Sequence, residues 1–78
     1  MWGVSLRSIK RSLGEEVRQR RTLRKLSQEG LALRADIHPN VVGRLERGKY
    51  NPSVKTLYLI AEELKVSLSE LFAGAEKR

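Results

Sequence analysis

The chain contains no cysteine, which excludes a disulfide framework and a thiolate metal site. Its single histidine, His38, leaves a structural zinc without a ligand set. One Trp, two Tyr and one Phe are too few aromatics for a stacking platform that grips single strands. Apolar runs are short, so no segment spans a bilayer, and no secretory apolar region follows Met1. Gly-rich phosphate loops, nucleophile–base pairs and metal clusters are missing as well, so the chain reads as no enzyme and needs no cofactor. Seventy-eight residues hold one small domain and no second core.

What is present is positive charge. Sixteen Lys and Arg stand against nine Asp and Glu, for a net +7. The surplus is uneven: residues 1–26 hold eight basic and two acidic side chains, while residues 53–78 hold four of each. A clustered basic surface is the electrostatic footprint of a nucleic-acid binder, although a solvated basic face kept for solubility has the same composition. A lipid-surface module would need a continuous apolar face opposite the charge, and here the apolar stripes are required for the core. With 40% hydrophobic and 32% charged residues the composition is that of a folded globular protein, and the expectation is a cytoplasmic one at the nucleoid.

Helix signals recur along the chain, without sustained two-residue alternation. Ser12-Leu13-Gly14-Glu15 has the form of a capping box, and Leu13, Val17, Arg21 and Arg24 repeat at helical spacing to an end near Lys25. Leu6 and Ile9 continue that face, so residues 1–12 are either a basic N-terminal arm or an extension of this helix. Ser27 caps a short helix from Gln28 to Ala35, with Leu31 and Ala32 inward. Asp36-Ile37 makes a tight turn, and His38-Pro39 is a cap followed by proline at the first helical position. The third helix runs to Arg47, burying Val42 and Leu45, and Gly48 ends it. Ser53 caps a fourth helix carrying Leu57, Ile60, Ala61 and Leu64. Ser67 and Glu70 form a capping box opening a last short helix with Leu71 and Phe72, after which residues 73–78 are expected to fray. The predicted fold is all-α, a compact bundle of about five helices with residues 13–72 as its domain.

Two short helices joined by a tight turn, the second with exposed polar residues, is the helix-turn-helix plan. Ala32 is small where the next helix crosses it, and Val42 and Leu45 lock that helix from beneath. Pro39, Asn40, Gly43 and Arg44 then face outward. Asn pairs bidentately with adenine and Arg with guanine in the major groove. Gln28 opens the preceding helix, where free N–H groups and a side-chain amide can hold a phosphate.

Five stretches carry a resemblance: Leu-Gly-Glu-Glu-Val-Arg-Gln-Arg-Arg at 13–21, Leu-Ser-Gln-Glu-Gly-Leu-Ala at 26–32, Arg-Leu-Glu-Arg-Gly-Lys-Tyr-Asn-Pro-Ser at 44–53, Leu-Tyr-Leu-Ile-Ala-Glu-Glu-Leu at 57–64 and Val-Ser-Leu-Ser-Glu-Leu-Phe at 66–72. In this order they resemble the lambda-repressor-like (Cro/repressor, XRE) DNA-binding domain. The resemblance implies a dimeric, sequence-specific regulator, a repressor whose third helix reads a palindromic operator in double-stranded DNA. It implies that Gln28 contacts phosphate, that Pro39, Asn40 and Arg44 read bases, and that Arg47, Lys49 and the loop through Tyr50 and Asn51 grip the backbone. It also implies a buried ion pair between Arg21 and Glu46. Pro39 replaces a common polar reader, and Val41 stands where a hydroxyl is usual and can meet a thymine methyl. Asp36 and Lys25 occupy turn positions common to glycine, and Gly30 replaces a glutamate.

His38 reads as a helix cap or phosphate donor, Trp2 as an arm residue packing on the domain, and Glu62-Glu63 as a solvated face. Arg7, Lys10 and Arg11 are either solvent-exposed or a DNA-contacting arm, and Tyr50 either touches phosphate or packs under its loop. One reading helix offers too few contacts to select a genomic site, so a homodimer is expected. Its half-site centres would lie about 34–36 Å apart, or about 10–10.5 base pairs. Tyr58, Leu59 and Leu68 are the apolar residues left outside the core for that interface. The small size also resembles controller proteins of restriction–modification systems. A protein-binding antitoxin on the same fold, repressing its own operon, is the alternative.

Overall fold

The structure, a computed structural model, describes residues 5–78. Trp2 and the first four positions of the expected arm lie outside the described residues. Within them are five helices and no strand: α1 (Leu6–Leu23), α2 (Gln28–Ala35), α3 (Pro39–Glu46), α4 (Val54–Leu64) and α5 (Leu68–Glu76). None of these helices is long and apolar enough to cross a membrane.

Each helix begins where a side chain can accept from an orphan amide. Ser27 accepts from Gly30 N–H at 2.8 Å, Ser53 from Thr56 N–H at 3.1 Å, and His38 Nδ1 from Asn40 N–H at 3.1 Å, ahead of Pro39. At α5 the Ser67–Glu70 box is closed in both directions, at 3.0 and 2.9 Å. The Ser67 amide and hydroxyl hold the Glu70 carboxylate below its usual range.

The cap expected at Ser12 is absent. Ser12 lies inside α1, whose cap is seven residues earlier, where Ser5 accepts from Ser8 N–H at 3.1 Å. Residues 6–12 are therefore the first turns of a long helix. Ile9 packs on the core and favours continuing the helix over restarting it, whereas Leu6 stays exposed.

The core is one cluster drawn from all five helices. Val17, Leu31, Ala32, Val42, Ile60 and Leu71 are fully buried within it. α1 lies against α3 and α5, and α2 sits between α3 and α4. Lys25, Asp36 and Lys65 adopt left-handed conformations at φ 59, 58 and 62°, closing the turns after α1, α2 and α4. The first two are the positions that depart from glycine in the family pattern.

Residues 73–76, where fraying is expected, are helical. α5 continues to Glu76, and Ala75 is buried at 1% exposure. Gly74, lacking a side chain, lets the Glu16 carboxylate lie directly on α5. Glu16 accepts from Arg20 Nε at 2.6 Å and from Arg78 Nε at 3.1 Å, and Arg78 also donates to Gln19 Oε1. A charged clamp from α1 thus ties down the last turn.

Gly14 sets how closely α1 approaches the end of α3. A Cβ there would overlap the carbonyl oxygen of Leu45 and come within 2.9 Å of that of Glu46. Neither backbone can yield cheaply. Gly14→Ala is expected to cost about 1–2 kcal/mol net, overpacking outweighing the better helix propensity of alanine. Urea denaturation checks this, and a variant as stable as wild type would show that α3 can shift outward.

Candidate nucleic-acid interface

α2 and α3 are joined by Asp36, Ile37 and His38. The left-handed Asp36 turns the chain, and Ile37 N–H donates to Ala32 O at 3.0 Å, satisfying a carbonyl at the end of α2. Ala32, at 0% exposure, leaves room for α3 to cross, and Val42 and Leu45 hold α3 to the core. The opposite side of α3 presents Pro39, Asn40 and Arg44, all exposed.

An open groove of about 310 Å³ runs along this side, lined by Gln28, Glu29, Pro39, Asn40, Arg44 and Arg47, with Gly43 as its floor. Gly43 was expected to face outward. It is instead buried beneath neighbouring side chains, since a Cβ there would meet Arg47 Nη1 and Gln28 Oε1 at 3.3 Å each. Val41 is half-buried.

The Arg21–Glu46 pair is formed as the resemblance implies. Arg21 donates to Glu46 Oε2 from Nε at 2.6 Å and to Oε1 from Nη2 at 3.0 Å, and its Nη1 donates to Leu26 O at 2.7 Å. The side chains are 11% and 3% exposed. Hydrogen bonding to Glu46 raises the Arg21 guanidinium beyond its already high pKa, so Arg21 stays charged. Among the described residues no buried side-chain nitrogen or oxygen lacks a partner.

The pair also reaches the groove. Glu46 Oε1 accepts from Gln28 Nε2 at 3.0 Å, so the buried carboxylate fixes the amide at the start of α2. That link was not apparent in the sequence, because it joins residues 18 apart through a side chain placed only by packing. Glu29 was also missed. It lines the groove beside four polar or charged neighbours and brings the one carboxylate to that face. Its place directly after Gln28, in the first turn of α2, was the available signal.

Beyond α3 the chain turns at Gly48, with φ 71°. Arg47, Lys49 and Asn51 are exposed there. Tyr50 is half-buried and packs on the core, which answers the packing half of its sequence reading. Its ring lies 5.5 Å from the Arg44 guanidinium carbon, and Arg44 Nη2 donates weakly to Lys49 O at 3.4 Å. Arg44 is therefore held against the loop by two weak contacts.

This geometry is matched in known proteins. The helix-turn-helix family profile matches residues 17–71. The chain belongs to the helix-turn-helix family. In common with that family it is a DNA-binding transcription regulator. Control protein C.SmaI of Serratia marcescens is 35% identical over 68 residues, covering 87% of this chain and 81% of the relative. Control protein C.MunI of a Mycoplasma species is 34% identical over 73 residues, covering 92% and 99%. Among solved structures, the restriction-modification controller protein C.AhdI from Aeromonas hydrophila superposes with a TM-score of 0.77 at 34% identity. It covers 80% of this helix-turn-helix chain and 94% of its own.

Proposed function

We propose that this helix-turn-helix protein is a cytoplasmic, nucleoid-associated repressor of the restriction–modification controller type, binding a palindromic operator as a homodimer. The observation carrying this reading is the α3 face: Asn40 and Arg44 stand exposed on a helix locked to the core, with Gln28 and Arg47 lining the same groove and Lys49 exposed on the loop that follows. Asn40 and Arg44 supply the base contacts, and Pro39 and Val41 supply apolar contact to thymine methyls. Gln28, His38, Arg47, Lys49, Tyr50 and Asn51 hold the phosphates on either side, and Gly43 leaves room for the Gln28 and Arg47 side chains that lie over it. The likeness to control proteins supports the controller assignment.

The dimer is supported by a shallow, mostly apolar groove of about 190 Å³ at the α4–α5 end, lined by Tyr58, Ala61, Glu62, Val66, Ser67 and Leu68. Tyr58 is 51% exposed, and the neighbouring Glu62 carboxylate raises its phenol above the ordinary range, keeping it protonated. Leu68 lines this groove while also packing on the core, and Val66 adds to its apolar wall. Leu59 is half-buried and does not line it.

Selection of bound sites from a random duplex pool tests the whole reading. The expected consensus is an inverted repeat with half-site centres about 10–10.5 base pairs apart. Sedimentation should show a dimer at tens of micromolar. A monomer that binds an isolated half-site as tightly as the full repeat would overturn it.

A further inference from the structure

A second basic groove lies beside the reading face, and its chemistry is that of a polyphosphate track. It is an open channel of about 600 Å³ between the first turns of α1 and the loop after α3. Arg7, Lys10 and Arg11 line one wall and Arg47 and Lys49 the other. Among the described residues none of these five makes an ion pair. Gly48 brings the walls together: besides its positive φ, a Cβ there would meet the Arg11 backbone Cα at 3.2 Å. Arg47 lines both this channel and the α3 groove, so the two surfaces are continuous.

The arrangement works against the free protein. Arg7, Lys10 and Arg11 lie near the N-terminal end of α1, where the aligned peptide dipoles favour anions, and the first turn holds no acidic residue. Arg7 is three residues from Lys10 and four from Arg11, so all three share one face and repel. A row of cations held at such a cost is relieved when a row of anions lies along it. Five cations spread along an open channel of about 600 Å³ can meet several phosphates of one backbone, which a single small anion does not supply.

We propose that the α1 channel binds a stretch of duplex DNA backbone adjoining the phosphates held by Arg47 and Lys49, enlarging the footprint without adding base readout. This inference rests on the duplex-binding reading above. The test uses the full chain and its selected operator duplex, comparing wild type with the Arg7→Gln/Lys10→Gln/Arg11→Gln triple variant. Glutamine keeps helix propensity and removes only charge. The triple variant is expected to show a salt dependence shallower by about 0.9 per phosphate lost, or about 2–3 per protomer. Sequence preference should be unchanged, and phosphate-ethylation interference should lose a contiguous set of phosphates. Its thermal midpoint without DNA should be equal to or above that of wild type, where a merely structural role would lower it. The single variants Arg7→Gln and Arg11→Gln should each carry about a third of the change, which keeps the inference testable should the triple variant fold poorly. An unchanged salt slope and interference pattern, in a wild type that still selects its operator, would overturn the channel alone. Loss of binding to anionic vesicles with duplex binding intact would overturn it in favour of a lipid surface. A wild type that selects no duplex sequence would overturn the duplex-binding reading as well.

Discussion

Glu46→Ala is expected to destabilise the domain by about 3–5 kcal/mol, because it strands a guanidinium in the interior. Arg21 gives two of its hydrogen bonds to Glu46, at 2.6 and 3.0 Å, and its side chain is only 11% exposed. Water cannot replace the carboxylate without opening the junction of α1 and α3. A domain of this size has a total stability of roughly 5–10 kcal/mol, so the loss removes a large part of it. Replacing both partners, as Arg21→Met with Glu46→Leu, removes the stranded charge and should cost far less than the sum of the single changes. A double-mutant cycle in urea checks this. Additive effects below 1 kcal/mol would show that the pair is solvated in practice. The loss would not stop at stability, because the same carboxylate orients the Gln28 amide at 3.0 Å. The Glu46→Leu double variant should therefore fold yet bind DNA more weakly.

The parts of this fold legible in the sequence are those with local causes. Ser27, His38, Ser53 and Ser67 cap helices because each accepts from an amide two or three residues ahead, which needs no tertiary context. Ser12 has the same local signature and fails, since the preceding turns were already helical and Ile9 had a core to pack on. The end of α5 was unreadable for the opposite reason. Its anchor is Glu16, 62 residues from Arg78, and only the fold brings them together. At the interface, the exposure of Asn40 and Arg44 followed from helical periodicity once Val42 and Leu45 faced inward. Gly43 did not follow, because a glycine's burial depends on which neighbours close over it, here Gln28 and Arg47. The Arg21–Glu46 pair was visible only through family resemblance, with no spacing rule linking residues 25 apart.

Arg44→Ala and Asn40→Ala are expected to remove sequence preference, while Lys49→Ala removes affinity without preference. Asn40 is exposed at the N-terminal end of α3, and a bidentate contact from such a residue to adenine is worth about 1–3 kcal/mol of discrimination. In the proposed complex Arg44 would make the equivalent contact to guanine. In a twofold complex each substitution occurs twice, so an operator loses about 2–6 kcal/mol of its advantage over random duplex. Arg44 gives up little to reach the base: in the free protein its guanidinium holds one 3.4 Å bond to Lys49 O and lies over Tyr50 at 5.5 Å. Both are surface contacts in high dielectric, and Tyr50 can keep the side chain extended until DNA arrives. In the proposed complex Lys49 would act as a point charge on the phosphate backbone. Its removal should weaken operator and random duplex alike and make the salt dependence shallower by about 0.9 per protomer. Competition binding against operators altered one base pair at a time separates the two behaviours. The Asn40 and Arg44 variants should each become indifferent to one base pair per half-site, and the Lys49 variant to none. Equal losses on operator and random DNA for all three would take the reading role away from α3.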